Sequence, residues 1–473
     1  MKYFITAAIP YVNAKPHIGH ALEFVQGDVI ARYHRILGHD TLYLCGADEN
    51  ALKIVQAAEK AGMEVLPFCD ANANLFQSLM KKLDVQLDIF ERASSESHHI
   101  SSKKLWELCE KNGDIYKKAY QGLYCVGCEA FYTQEELNEN GECFEHPGKK
   151  LDVVTEENYF FRLSRYKNQI LKLIESDGVH VVSEIRKNEM IGFLNGDVQD
   201  ISISRSRERA RNWGVEVPKD PSQMMYVWFD ALNVYQSGVG FGTDEKQYNT
   251  WWPADAHLIG KGILRFHAVY WIAMLLSAGL SLPKEIFVHG YITIGGQKMS
   301  KTLGNVIDPL DLIQTFDIDP LRYYFLREMS SIDDADFTIE RMSEVYQAHL
   351  ANELGNLVSR LAKLCESLPL QIFEVPTSFT KQVAQYIVQF ALKNGIDHIW
   401  DRIVLINKTL TDTKPWEKDE KEKITLLAPL VQELIQVGYD LQPFLPNTAE
   451  KIMRRFAGSR ITASEPLFPK RTS

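Results

Sequence analysis

The sequence predicts an α/β protein with a doubly wound parallel sheet that is split by an inserted module and followed by an α-helical bundle domain. Apolar, β-branched runs alternate with helical patterns over residues 1–115 and again from residue 221. The stretch between them has short strand patterns and Gly-punctuated turns. From about Val345, leucines recur at steps of three and four residues, which is typical of amphipathic helices.

Two strand and helix pairs open the chain. The run from Phe4 to Val12 predicts a strand, and His17 begins an apolar repeat with helical spacing. A second strand is predicted at Thr41–Cys45, with a helical pattern from Leu52. The longest apolar run, 268–276, is shorter than the roughly 20 residues that cross a bilayer, so it predicts a buried helix.

The later elements complete the predicted domain division. Further strands are predicted at Met225–Phe229, His257–Ile259 and Glu285–Val288, and further helices around Gln382–Lys393, Ile396–Thr409 and Lys423–Asp440, with breaks at Pro415, Pro443 and Pro446. We expect a Rossmann-type nucleotide-binding fold in two halves, 1–115 and 221–320, separated by a connective insertion at 116–220 and followed by a linking stem at 321–345 and a helical domain at 346–473.

Composition excludes several classes of protein. The chain has 473 residues, 45% hydrophobic and 24% charged, which argues against a single small module and against disorder. Its net charge of −10 excludes a polycation that coats nucleic acid, although a local basic surface remains possible. The first apolar run contains Pro10 and has no cleavage site after it, so we expect a cytoplasmic protein that does not enter membranes.

The segment PHIGH (residues 16–20) follows the first predicted strand. Pro16 favours a helix start, which places His17 and His20 on one face of the first turn, and Gly19 lets a ligand approach the backbone. The amides and dipole of such a turn attract phosphate, to which imidazoles can donate hydrogen bonds. Taken alone, the histidine pair also fits helix capping or packing.

The segment KMSKT (residues 298–302) follows the last predicted strand. It carries Lys298 and Lys301 and is flanked by Gly295, Gly296 and Gly304. Ammonium groups on a movable loop suit the charge of a leaving pyrophosphate. A surface turn is the alternative interpretation.

Four residues of metal-ligand type have the spacing Cys125-x2-Cys128-x14-Cys143-x2-His146. Two such pairs predict a tetrahedral Zn²⁺ site built from two knuckles. Because the protein supplies all four ligands, we expect the zinc to be structural. Scattered reduced cysteines are the alternative.

Together, PHIGH and KMSKT resemble the two signatures of class I aminoacyl-tRNA synthetases. The chain is similar to the methionyl-tRNA synthetase family over nearly its whole length, in blocks at residues 7–20, 226–232, 257–271, 289–305 and 351–360. Its Cys/His group resembles that of family members with one zinc.

This resemblance implies a methionine-tRNA ligase. The carboxylate of L-methionine would attack the α-phosphorus of ATP, which carries Mg²⁺, and methionine would pass to the 3′-terminal adenosine of tRNA(Met) for initiation and elongation. Catalytic and ATP-binding roles would fall to His17, His20, Lys298 and Lys301, with further ATP contacts from Gly19, Lys261 and Arg205. The methionine pocket would be lined by Ile9, Tyr11, Trp228, Ala231, Tyr235, Ile263 and His267, with Asp48 holding the α-ammonium group. For the apolar members of this set, ordinary core packing is the alternative.

An exposed face is predicted on the first helix of the bundle. Asn352, Asn356 and Arg360 are spaced by four, opposite the leucines, and Trp416 follows Pro415. The resemblance implies an anticodon site at Asn356, Arg360 and Trp416, since amides, guanidinium groups and aromatic rings suit unstacked bases. A solvated face with a packing tryptophan is the alternative.

Several residues depart from the family's motifs, four of them close to the predicted substrate sites. Asn50 stands in the run where most relatives have acidic-histidine-glycine, Gly262 replaces the aspartate of GKD, and Leu232 and Val234 replace a proline and a glycine. Because both signatures are intact, we expect altered tuning rather than lost activity.

Two other hypotheses are a class I ligase for another amino acid, such as cysteine, and a non-catalytic tRNA-binding paralogue. Since no dimerisation module follows the bundle, we expect a monomer.

Overall fold

The computed structural model describes residues 1–128, 130–132, 134–145, 148–299, 304–370, 373–458, 460–463 and 465–470. The strands are β1 (Lys2–Ala7), β2 (Asp40–Ala47), β3 (Ile89–Arg92), β4 (Ile115–Cys125), β5 (Ala130–Tyr132), β6 (Asp152–Phe161), β7 (His180–Val182), β8 (Ile201–Ser202), β9 (Ser204–Ser206), β10 (Glu216–Val217), β11 (Asp220–Met225), β12 (Ala256–Gly260), β13 (Glu285–His289), β14 (Ile292–Ile294), β15 (Gln297–Lys298) and β16 (Ala335–Asp336). The helices are α1 (Ile18–Ile36), α2 (Leu52–Ala61), α3 (Val65–Lys82), α4 (Glu96–Lys111), α5 (Lys167–Glu175), α6 (Glu184–Asn195), α7 (Val227–Ala231), α8 (Val234–Ser237), α9 (Glu245–Trp251), α10 (Ile272–Ala278), α11 (Pro309–Phe316), α12 (Ile318–Arg327), α13 (Ile339–Val345), α14 (Asn356–Cys365), α15 (Lys381–Val388), α16 (Leu392–Thr413), α17 (Glu420–Leu441) and α18 (Pro446–Phe456).

The chain divides into two compact units. The first comprises Met1–Pro16, Asp40–Met80 and Leu87–Val288, and it contains the large sheet. The second comprises His17–His39, Lys81–Gln86 and His289–Ser473, and it contains α1 and the C-terminal helices.

A six-stranded sheet forms the core of the first unit, with the strand order β3-β2-β1-β12-β13-β7. Parallel pairs join β3 to β2, β2 to β1, β1 to β12, and β13 to β7. The predicted parallel α/β sheet followed by a helical domain is therefore confirmed. Because the strand order reverses between β1 and β12, the carboxyl ends of these two strands form the switch point at which such sheets bind ligands.

Residues 116–220, the predicted insertion, contain most of a four-stranded sheet with the order β5-β4-β6-β8. Its centre is the long antiparallel pair of β4 and β6, in register from Ile115 with Phe161 to Tyr124 with Asp152. The same stretch also supplies β7, an edge strand of the parallel sheet.

The apolar run at 268–276 is a buried helix, as predicted. A π-helical stretch, Phe266–Trp271, leads directly into α10. Among the residues that the structure describes, no helix is both long and apolar enough to span a bilayer.

Two local predictions are wrong. The strand predicted at Met225–Phe229 ends at Met225, where β11 pairs with β9, and α7 begins at Val227. Because this segment is buried on all sides, its apolar run does not distinguish a strand from a short helix. The helix break predicted between Lys393 and Ile396 lies instead before α16, where Phe390 has a φ of 56°.

The leucine pattern of the second unit forms the predicted helices. Leu350, Leu354, Leu357 and Leu361 are buried along a π-helical stretch, Tyr346–Gly355, and the following α14. Helices α15, α16 and α17 then pack in sequence, and α18 packs on α17.

A buried guanidinium group ties the second unit together. Arg322 of α12 is wholly buried, and its Nη1 lies 2.8 Å from Asp28 Oδ2 of α1. The group also donates hydrogen bonds to the carbonyl oxygens of Leu83, Pro443 and Phe444 at 3.2, 3.0 and 2.8 Å. It therefore links α1 to α12 and to the connection between α17 and α18.

We predict that Arg322→Leu destabilises the second unit by about 3–5 kcal/mol, because the Asp28 carboxylate stays buried and loses a charged partner. Urea unfolding followed by circular dichroism measures this loss. The control is Arg341→Leu, since the Arg341 side chain is 51% exposed and pairs with Glu328 at the surface. It should cost less than about 1 kcal/mol. Equal effects of the two substitutions would contradict the prediction.

Candidate active site

Two loops meet at the carboxyl ends of β1 and β2 in the first unit. Ile9 and Tyr11 follow β1, and Asp48 follows β2. The Asp48 amide donates a 2.9 Å hydrogen bond to the Pro10 carbonyl, and Tyr11 and Asp48 form a parallel bridge. Three of the residues predicted to bind methionine are thus held on adjoining loops at the end of the sheet.

An aromatic cluster surrounds Trp228 of α7. The Phe266 ring stacks on it at 3.7 Å between centroids and 8° between planes. Tyr11 meets it edge to face at 6.3 Å and 86°. Ala231, three residues further along α7, is buried on the same face. Phe266 was not predicted, although it adjoins the predicted His267 in the sequence.

Tyr235 and His267 form a buried hydrogen-bonded pair. The Tyr235 Oη lies 2.8 Å from His267 Nε2, and His267 Nδ1 lies 2.9 Å from the Ile263 carbonyl. Because a carbonyl only accepts, Nδ1 carries the proton and Nε2 accepts from the tyrosine. Burial lowers the pKa of His267 to about 4, so the pair is uncharged at neutral pH.

A second buried histidine, which was not predicted, lies beside this pair. The His257 ring is 4.6 Å from that of Tyr235. Trp271 Nε1 donates to His257 Nε2 at 3.3 Å, so Nδ1 donates to Thr6 Oγ1 at 2.6 Å. Burial and the nearby His267 hold the pKa of His257 well below its usual range.

Arg205 and Asn50 belong to a buried network around Asp230. The Asn50 amide donates to Asp230 Oδ2 at 2.6 Å, while His98 Nε2 and Ser102 Oγ lie 2.7 and 3.0 Å from Oδ1. Arg205 donates to the Asn50 carbonyl at 2.9 Å. Burial acts to raise the pKa of Asp230, but His98 and the hydrogen bonds that it accepts bring it below its usual range. Asp230 and His98 were not predicted, because 132 residues separate them in the sequence.

Lys261, predicted to lie near ATP, opens a short 3-10 turn directly after β12. Ile263 closes the same turn, and its carbonyl accepts from His267. Both residues therefore lie at the switch point of the sheet in the first unit.

The PHIGH histidines cap α1 in the second unit. His17 Nδ1 accepts from the Gly19 amide at 3.1 Å, and His20 Nδ1 accepts from the His17 amide at 3.1 Å. Each neutral ring must therefore carry its proton on Nε2, where it is a donor. Burial, together with the nearby His17 and His289, holds the pKa of His20 well below its usual range. Capping therefore uses Nδ1 of each ring, and the predicted phosphate contacts would use Nε2.

Lys298 lies on a hairpin of β14 and β15. Gly295 and Gly296 form its turn with φ values of 60° and 73°, and Asp336 accepts from the Gly296 amide at 2.8 Å. This amide contributes most to holding the pKa of Asp336 below its usual value. The Lys298 ammonium lies 4.6 Å from the centre of the Tyr291 ring. Lys301 lies outside the described residues.

Three thiols converge in the first unit. The Sγ atoms of Cys125, Cys128 and Cys143 all lie within 4.8 Å of one another, and Cys143 is 3.3 Å from Cys125 and 3.7 Å from Cys128. This set could hold a metal ion, since three thiolates fit a tetrahedral site that has one more ligand. The predicted fourth ligand, His146, lies outside the described residues.

Two of the three residues predicted to read an anticodon are close together in the second unit. The Arg360 guanidinium lies 5.9 Å from the centre of the Trp416 ring, which is 46% exposed. Asn356 is exposed one turn before Arg360 on α14. The three side chains therefore face solvent with groups that can stack on a ligand or form hydrogen bonds to it.

Known proteins resemble this chain over nearly its whole length. The family model for class I tRNA synthetases (M) matches residues 3–362. The methionine-tRNA ligase of Thermotoga maritima is 38% identical over 512 aligned residues, which cover 99% of this chain and 80% of that protein. That of Brucella suis is 36% identical, covering 99% and 98% respectively. The structure of Mycobacterium tuberculosis methionyl-tRNA synthetase in complex with methionyl-adenylate is similar, with a TM-score of 0.91 and 33% identity over 99% of this chain and 100% of that one. The chain therefore belongs to the methionyl-tRNA synthetase family of class I aminoacyl-tRNA synthetases.

Proposed function

We propose that this protein is a methionine-tRNA ligase. It would join L-methionine to the α-phosphate of ATP, release pyrophosphate, and transfer the methionyl group to the 3′-terminal adenosine of tRNA(Met). The observation that carries the proposal is a set of uncharged aromatic groups at the end of the sheet, in which Trp228 stacks on Phe266 and Tyr235 hydrogen-bonds to His267. The match to a relative solved with methionyl-adenylate supports it.

The chemistry of this cluster suits a thioether side chain. Sulfur makes favourable contacts with aromatic edges, and a neutral histidine and tyrosine offer polarity without charge. The carboxylate of Asp48 would hold the α-ammonium group. Charged amino acids would find no counter-charge among Trp228, Tyr235 and His267.

ATP would be activated by groups that can donate to phosphate. His17 and His20 would donate from Nε2 to the phosphates beside the amino end of α1, with close backbone approach at Gly19. Lys298 and Lys301 would balance the charge of the leaving pyrophosphate, and Lys261 and Arg205 would contact the nucleotide. Mg²⁺ would enter with ATP.

The metal held by the three thiols would be Zn²⁺, with His146 as the fourth ligand. A closed Cys3His set leaves no open coordination position, so the ion would be structural. This also favours methionine over cysteine, for whose recognition an open zinc position near the catalytic helix would be expected.

Asn356, Arg360 and Trp416 would recognise anticodon bases of the tRNA. Single-stranded bases are held by stacking on aromatic rings and by hydrogen bonds to their edges. We also propose a monomer that acts in the cytoplasm, where its tRNA substrate would be used.

We predict amino-acid-dependent ATP-pyrophosphate exchange with methionine, and its loss by about 100-fold or more in Lys301→Ala, because this ammonium would act on the transition state. The assay covers all twenty amino acids and homocysteine. The control is Lys149→Ala, at an exposed residue. Exchange with another amino acid would refute the pocket, and exchange with none in the folded protein would favour a non-catalytic tRNA binder.

We predict that Gly19→Ala lowers the exchange rate by about tenfold or more. A Cβ at Gly19 would lie 3.0 Å from His17 Cε1 and 3.1 Å from Nδ1, so it would displace the imidazole. The matched control is Gly192→Ala in α6, where a Cβ meets nothing within 4 Å. Wild-type kinetics in Gly19→Ala would show that the position of His17 is unimportant.

Elemental analysis of the purified chain should find about one zinc per molecule. Cys143→Ser should lose most of it, because a thiolate ligand is removed. Cys365→Ala replaces a buried thiol of the other unit and should keep it. A metal-free but folded wild type would contradict the site.

Arg360→Ala should lower kcat/KM for tRNA charging by about tenfold or more and leave ATP-pyrophosphate exchange unchanged, since it would act only on the tRNA. The control is Arg454→Ala, exposed at the end of α18. An equal loss in the exchange assay would assign Arg360 a structural role instead.

A further inference from the structure

The walls of the proposed methionine pocket are tied to the thiol cluster by three polar contacts, all within the first unit. We call residues 125–145, apart from 129 and 133, the knuckle module. Lys53 Nζ donates to the Gly127 carbonyl at 3.1 Å, and Trp228 Nε1 donates to the Cys128 carbonyl at 3.3 Å. Arg265 Nη1 pairs with Glu136 Oε1 at 3.0 Å.

Lys53 connects the knuckle module to Tyr11. It lies in the first turn of α2, and its ammonium is 3.0 Å from the centre of the Tyr11 ring. A cation on the face of an aromatic ring is strongly attracted when both are partly removed from water. The Gly127 carbonyl thus directs the ammonium, and the ammonium fixes the tyrosine that meets Trp228 edge to face.

Trp228 is fixed from three directions. Phe266 covers one face, Tyr11 meets the ring edge to face, and the Cys128 carbonyl accepts from the indole N–H. Arg265 lies 5.9 Å from the centre of the Phe266 ring and is itself paired with Glu136 of the knuckle module. The Tyr11, Trp228 and Phe266 rings are therefore each linked to the knuckle module, directly or through one charged side chain.

The two carbonyls that matter most lie within the metal-binding turn. Gly127 and Cys128 belong to the Cys125-x2-Cys128 segment, whose two thiols converge with Cys143. A metal ion bound by these thiols would hold the peptide groups between them in one orientation. Loss of the ion would release the carbonyls on which Lys53 and Trp228 depend.

We propose that Lys53 is a positioning residue through which the knuckle module sets the affinity of the pocket for methionine, so that metal and methionine bind cooperatively. This inference rests on the proposed function. Lys53 acts through Tyr11 and the Gly127 carbonyl. By thermodynamic linkage, the factor by which metal raises methionine affinity equals the factor by which methionine raises metal affinity.

The first experiment measures methionine binding to the full-length, zinc-loaded chain by isothermal titration calorimetry. Lys53→Met keeps the apolar stem and removes the charge, and it should weaken methionine binding by about tenfold, with kcat within about threefold and an unchanged KM for ATP. Lys53→Arg should restore most of the affinity. The control is Lys60→Met, at an exposed residue in the last turn of the same helix. Unchanged affinity in Lys53→Met overturns the inference while the proposed function stands.

The second experiment measures zinc affinity in zinc-buffered solutions, with and without saturating methionine. In the wild type, methionine should tighten zinc binding by about fivefold or more, and in Lys53→Met this factor should fall towards one. Thermal unfolding of each variant shows whether it is folded. A wild type in which methionine leaves zinc affinity unchanged overturns the coupling. A wild type that binds no methionine at all overturns the proposed function and the inference together.

Discussion

A polar group that is removed from water must find a partner, and this constraint determines the chemistry available in both units. Burial makes the charged form of an imidazole costly, so His20, His257 and His267 are neutral and each has one donor and one acceptor nitrogen. One nitrogen of each ring is hydrogen-bonded to a backbone group or to a tryptophan N–H, and the partner decides whether that nitrogen donates or accepts. The other nitrogen is therefore assigned by elimination. The Tyr235–His267 pair is uncharged for this reason, and the proton of His20 lies on Nε2.

The same constraint anchors the helix that carries the capping histidines. Asp28 is buried in the middle of α1, where Arg322, Arg32 and the amide of Gln86 all donate to it at 2.7–2.8 Å. Arg32 lies on α1 itself, but Arg322 and the Gln86 amide do not, so rotating or sliding α1 would break two of the three contacts of this buried carboxylate. Arg322 and Gln86 thus help to fix the orientation of α1, which carries His17 and His20 at its beginning.

The sequence predicted those features that depend on local periodicity or on spacing. The parallel strands and the buried helix at 268–276 follow from apolar runs and their lengths, the leucine face of the bundle follows from a repeat of three and four residues, and the thiol cluster follows from the spacing of its cysteines. Features that depend on distant partners were missed. His98 pairs with Asp230 across 132 residues, and neither segment carries a local signal of the contact. The segment after Met225 was predicted as a strand because a fully buried run has no alternation by which strand and helix differ.

The tertiary contacts also explain how the chain accommodates its departures from the family's motifs. Asn50 stands in the run where most relatives have acidic-histidine-glycine, and its amide donates to Asp230 at 2.6 Å and to the Ala93 carbonyl at 2.8 Å. An amide nitrogen has two protons, so it satisfies both acceptors at once. Val234, which replaces a glycine, packs beside Gly46, where an added Cβ would lie 3.1 Å from Val234 Cγ1 and closer still to the Glu91 carbonyl oxygen. The glycine at position 46 thus leaves room for the Glu91 backbone and for the larger side chain at position 234. Because the buried acceptors remain paired and the packing is complementary, these substitutions support changed tuning of the site rather than its loss.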